Sequence, residues 1–199
     1  MNAFINIYSN SLADTLIPKL LERLNEHEAI LNINQSFSFK NSSGNLSISF
    51  KWDKPTLAIF NNNNLTVNFS TNTRPFDLKE YKKKLLKDRI VSKPFFSRFF
   101  GKKKKYVTKV AKLSSAIEEQ LQAYNQVFSI KYHPGDLFES HFARLVGSIV
   151  TELSSGMCHF AHEDIWYNKA NAVAECLVQL YTLEELPNHI NKKPIAVAS

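Results

Sequence analysis

The sequence predicts an α+β fold, and three observations carry that reading. Apolar residues alternate with polar ones in several runs between residues 37 and 69, the period of strands with one buried and one wet face. Apolar residues recur at helical spacing over 12–24, 138–153 and 170–181. Between these halves lies a basic, aromatic stretch. The expected architecture is an N-terminal helix on an antiparallel sheet, a basic aromatic linker, and a helix-rich C-terminal half with a short β element. The corresponding boundaries are an α+β lobe at 1–91, a linker at 92–112, a helix-rich lobe at 113–186 and a tail at 187–199.

In chain order, Phe4, Ile5, Ile7 and Tyr8 predict a short strand. Leu12, Leu16, Ile17, Leu20, Leu21 and Leu24 predict a helix of roughly five turns, with Ser9 and Ser11 as candidate caps. Phe37 and Phe39, followed by Leu46, Ile48, Phe50 and Trp52, read as a hairpin across the Asn41-Ser-Ser-Gly-Asn45 loop. Leu57 and Ile59, with Leu65, Val67 and Phe69, repeat that pattern across Asn61–Asn64. Asp77 opens a helix carrying Tyr81, Leu85 and Leu86. Ser115 and Glu118 have the spacing of a capping box. Phe128, Ile130 and Tyr132 alternate as a strand, and after the His133-Pro-Gly-Asp136 turn Asp136 and Glu139 start the most strongly periodic helix, which Ser154-Ser-Gly156 ends. Residues 157–167 read as extended, and a last amphipathic helix follows Asn168.

Charge is concentrated in one place. Residues 79–112 hold 14 Lys and Arg against 2 Asp and Glu, net +12, which leaves −5 for the rest of a chain whose net charge is +7. Inside this segment Phe95, Phe96, Phe99 and Phe100 share one face if helical, and the run Lys102, Lys103, Lys104, Lys105 follows, with Lys93 and Arg98 completing the patch. Such a local field attracts phosphate, anionic lipid or an acidic protein. Three readings stay open: a nucleic-acid site with lysines on phosphates and aromatics on bases, an anionic-membrane site combining inserted rings with basic residues, and a linker helix stapled to the body by its phenylalanines.

The sequence excludes several function classes. Five scattered glycines leave no room for G-x-G-x-x-G or a P-loop. The N-terminus lacks the basic and apolar regions of a signal peptide, and Cys158 and Cys176 lack C-x-x-C spacing, so a cytoplasmic protein with reduced thiols is expected. The cluster Cys158, His159, His162, Glu163, Asp164 is dense in reactive types, but in extended chain the two imidazoles diverge, so neither metal nor cofactor is expected there. No catalytic constellation stands out, and a non-enzymatic protein is expected. Glu163, Asp164, Trp166 and Tyr167 form the candidate partner-binding surface, since aromatic residues beside acids in a turn make a binding rim; the alternative is that Trp166 closes a core.

The helix, extended segment, acidic turn with Trp166-Tyr167 and closing helix of residues 137–181 resemble, in pattern, small cytoplasmic immunity proteins of bacterial toxin systems. The resemblance implies a protein that occludes a cognate toxin by surface complementarity. Its net charge of +7 departs from the acidic character common in immunity proteins against nucleases, so the partner implied is an acidic toxin, or one engaged away from the lysines.

Overall fold

The computed structural model describes residues 2–55, 57–87 and 113–185. They form seven strands, β1 (Ala3–Ser9), β2 (Ala29–Ile33), β3 (Gly44–Lys51), β4 (Asn64–Pro75), β5 (Gln126–Tyr132), β6 (Met157–Phe160) and β7 (Ile165–Asn168), and five α-helices, α1 (Ile17–Asn25), α2 (Leu78–Lys87), α3 (Ser115–Leu121), α4 (Leu137–Leu153) and α5 (Ala172–Glu185). The strands make one sheet in the order β2-β3-β4-β5-β1-β6-β7, every neighbouring pair antiparallel. β5 lies between β4 and β1. The stretches 1–91 and 113–186, separated in sequence by the basic segment, therefore contribute to one sheet and one core. The C-terminal stretch supplies three strands instead of a short β element.

The period of two in each strand sorts the side chains onto two different faces. On one face Ile5 and Ile7, Ile48 and Phe50, Val67 and Phe69, and Phe128 and Ile130 are buried with residues of α1, α4 and α5. α4 is the centre of that layer: residues 141–151 are buried except for the partly exposed Arg144, so this helix is enclosed nearly all round instead of being half wet. Gly147 permits its closest approach to β1, since a Cβ there would lie 2.8 Å from Ile5 Cγ2. On the other face Tyr8, Val127 and Met157 form a second, smaller cluster with Tyr81 of α2 and Ile117 and Leu121 of α3. The rest of that face is polar. β4 presents Thr66, Asn68 and Ser70 there, all exposed, and β3 presents Asn45, Ser47 and Ser49.

Several local expectations are corrected. The first helix begins at Ile17, after a 3-10 turn at Asp14–Leu16, and has no side-chain cap. Pro18 occupies its first turn, where a missing N–H leaves nothing unsatisfied. Ser9 and Ser11 instead donate their hydroxyls to the Ser154 carbonyl, at 2.9 and 2.8 Å, tying the end of β1 to the C-terminal end of α4. Phe37 and Phe39 lie in the loop before β3, and β3 pairs with Ala29–Ile33. Both rings are buried, because Asp14 fixes that loop by accepting from Phe39 N at 2.8 Å and from the Ser38 hydroxyl. Leu57 and Ile59 flank or occupy a 3-10 turn after Pro55, a residue that cannot donate to a ladder, and Ile59 is 81% exposed. Ser114, not Ser115, caps α3 by accepting from Ile117 N at 3.2 Å. Asp136 caps α4 as read, accepting from Glu139 N at 2.9 Å, while the Glu139 carboxylate accepts from His133 N at 2.7 Å.

Candidate functional site

The turn between β6 and β7 is built from the residues expected to bind a partner. Phe160 pairs with Ile165, and the chain reverses through Ala161–Asp164, with Asp164 in the left-handed region at φ 57°. Aspartate is among the few non-glycine residues that occupy this region routinely. Glu163 is ion-paired with Arg144 of α4. That guanidinium also donates to Gln179 Oε1 at 2.9 Å and lies 5.4 Å from the Phe160 ring centre. Gln179 Nε2 in turn donates to the Tyr167 hydroxyl at 2.8 Å. Glu163 and the buried Tyr167 are thus anchored to the helical layer. Asp164 has a side chain that remains 72% exposed.

Trp166 lies on the opposite face of β7. Its ring stacks on His159, with centroids 4.1 Å apart and planes at 8°, and on Tyr8 at 5.6 Å and 25°. Trp166 closes the smaller core cluster and is partly exposed. His159 Nε2 lies 3.0 Å from Asp164 Oδ1. Burial lowers the pKa of this imidazole, and the Asp164 carboxylate offsets only part of that effect. Tyr8 is pushed well above the usual phenol range by burial and then by Tyr81. His162 lies in the Ala161–Asp164 turn, which interrupts the stretch 157–167 read as extended.

The His159 shift has a measurable consequence. A lowered folded-state pKa means that the unfolded chain takes up the proton first, so stability is full above the ordinary value of 6.5 and declines as pH falls below it, toward the folded pKa. Urea midpoints at about pH 7.5 and about pH 5.5 should separate wild type from His159→Phe, the wild type losing more on acidification. Equal losses would assign the decline to other groups.

Two further features escaped the sequence reading. Arg144 was not among the expected site residues; only its place as the single cation within a buried apolar helix marks it. Glu28, Lys54 and His141, from three separate segments, meet inside the core, with Glu28 Oε1 2.6 Å from Lys54 Nζ and 2.7 Å from His141 Nε2. Cys158 and Cys176 are free and buried, and burial pushes their thiols up to about 12 and about 11, which disfavours the nucleophilic thiolate. Among the described residues no group of three or more His, Cys, Asp and Glu converges to hold a metal ion. Nor is any described helix long and apolar enough to cross a membrane.

Lys93, Arg98 and Lys102 to Lys105, with the phenylalanines between them, lie outside the described residues. Compared with protein-family models, curated proteins and solved structures, the chain matches none.

Proposed function

We propose that the protein is a non-enzymatic protein-binding module that neutralises a toxin by occluding it, with the β6–β7 turn as the contact surface. The observation that carries this reading is the anchoring of an acidic turn before any partner arrives. Arg144 holds Glu163, His159 and Tyr8 hold Trp166, and Asp164 projects into solvent. Binding then requires little ordering of side chains, and ordering is the cost that most limits interfaces of modest size. Tyr167 supports the turn from beneath and contributes no contact of its own. The resemblance of residues 137–181 to immunity proteins supplies the class of partner.

The test is to co-express the chain with a toxin that copurifies with it from its native source, and to score growth. Asp164→Asn and Trp166→Ala should each weaken the complex at least about tenfold, the scale of a contact worth more than 1 kcal/mol, and Asp164→Asn, which keeps a residue type that the left-handed turn tolerates, should move the melting temperature little. Full protection by both variants would remove the turn from the interface; absence of any protection by the wild type would end the toxin reading.

The net charge of +12 in residues 79–112 supports a second reading, binding to nucleic acid or an anionic membrane through the basic segment. Counterion release makes phosphate contacts salt-dependent, so changing Lys102 to Lys105 together to Gln should flatten the salt dependence of oligonucleotide binding. Sedimentation with vesicles that requires both anionic lipid and Phe95, Phe96, Phe99 and Phe100 would select the membrane.

A further inference from the structure

The polar face of the sheet has a composition that core packing does not require. Strand residues directed to the helix-covered face are mostly apolar, Ser9, Thr71, Thr73 and Gln126 being exceptions, whereas β3 and β4 place serine, threonine and asparagine on the other. At β5 and β1 the row closes: Ser129 is buried and donates its hydroxyl to Oδ1 of the partly exposed Asn6 at 2.7 Å. Three cations stand on this face: Lys51 at one end of β3, Lys131 on β5 opposite Ser70, and Arg74 toward the far end of β4. None of the three is ion-paired with a described carboxylate, and no strand residue directed to this face is acidic. Phe4, opposite Lys131, is 43% exposed. Exposed lysines of α2, Lys79, Lys83 and Lys84 among them, lie on the helix that partly covers the same face.

We infer that the part of this sheet face that no described helix covers binds single-stranded nucleic acid, at a site that borders the β6–β7 turn, where Ala161 N donates to the Phe4 carbonyl at 3.0 Å. The choice of occupant follows from what the face offers. A protein interface needs an apolar, aromatic centre, and here Phe4 is exposed and Trp166 partly so, among amides and hydroxyls. Nucleic-acid interfaces are polar and positively charged. Amide and hydroxyl groups donate to and accept from the Watson–Crick edges of unpaired bases, Phe4 supplies a stacking surface, and Lys51, Lys131 and Arg74 meet phosphates. Unpaired bases expose the Watson–Crick edges that amides and hydroxyls can read and that a duplex keeps paired, which makes a single strand the form expected. Along β4 the three cations fall at the levels of Asn64, Ser70 and Arg74 itself. At about 3.3 Å per residue this spans about 33 Å, room for several nucleotides.

The basic segment would itself attract an oligonucleotide, so the experiment is done in the K102Q/K103Q/K104Q/K105Q background, on the full chain, by fluorescence anisotropy with labelled oligo-uridine of about 20 nucleotides. Residual, salt-dependent binding is expected there. Adding Lys51→Gln, Arg74→Gln and Lys131→Gln should lower it at least about tenfold and reduce the log–log salt slope by about 2, since each single-strand phosphate contact contributes about 0.7. Phe4→Ala should weaken binding without changing that slope, and cross-linking of a bromouridine-containing oligonucleotide should label the peptide that carries Phe4. Lys51, Arg74 and Phe4 are exposed and Lys131 is partly so, and thermal melts should confirm unaltered folding. The inference is overturned if the lysine-run background binds nothing, if the three face substitutions leave residual binding intact, if a duplex of equal length binds as tightly, or if poly-glutamate competes as well as oligo-uridine. Each outcome leaves the toxin reading standing or falling on its own assay.

Discussion

Phe128→Ala is expected to destabilise the protein by about 3–5 kcal/mol, through the lost transfer of the ring and the cavity it leaves. Phe128 is buried on β5, the strand that the C-terminal stretch inserts between β4 and β1. Its ring meets Phe39 edge-on at 5.1 Å and Phe37 at 6.2 Å. Those two rings come from the loop that Asp14 holds in place, so the neighbourhood is fixed from two sides and cannot collapse into the void. Urea denaturation should therefore show a lower midpoint with an unchanged slope, and fluorescence and circular dichroism should report one coincident transition. Two separated transitions would mean that the sheet does not unite residues 1–91 with 113–186 energetically. A loss below about 1 kcal/mol would mean that the Phe37–Phe39 loop repacks freely.

That aromatic cluster also shows where the sequence was legible and where it was not. β1, β3, β4, β5 and α4 follow from the period of their apolar residues in the sequence, although β5 and α4 are buried on more than one face, and Asp136 follows from capping chemistry that needs only local neighbours. Phe37 and Phe39 have the same spacing as strand residues, yet they lie in a loop whose conformation depends on a carboxylate 24 residues upstream of Ser38. Alternation reports burial of every second residue. It does not report a ladder. β2 was missed for the opposite reason: with a bulge between Ile30 and Asn32 its apolar residues fall out of register, and the period of two is lost. Insertion of β5 between β4 and β1 is a non-local pairing with no signature in a window of a few residues. In the candidate site, Trp166 and Asp164 were visible by type, whereas the Arg144–Glu163 pair and the stacking of His159 on Trp166 require the fold first.

The buried trio of Glu28, Lys54 and His141 supports the second large expected effect. Side chains of Glu28 and His141 are each 5% exposed, and Lys54 closes the site from the rim, 5.3 Å over the Trp52 ring. Burial alone would raise the Glu28 carboxyl, but the hydrogen bonds and charge of His141 and Lys54 outweigh it and bring the pKa below the ordinary 4.5. A depressed folded-state pKa gives a contribution that is complete above 4.5 and is lost as pH falls through the folded value. Removing one partner leaves the carboxylate buried with less compensation, so His141→Leu should cost about 2–4 kcal/mol at neutral pH. Replacing all three, by Glu28→Leu, Lys54→Met and His141→Leu, removes the buried carboxylate together with the two groups that hold it and should cost less than the sum of the single changes. The triple variant should also lose the share of the wild type's decline below about pH 4.5 that Glu28 contributes. A triple variant that costs as much as the sum would show that these side chains act through shape alone. A single His141→Leu that costs nothing would show that Lys54 by itself holds the Glu28 charge inside the protein.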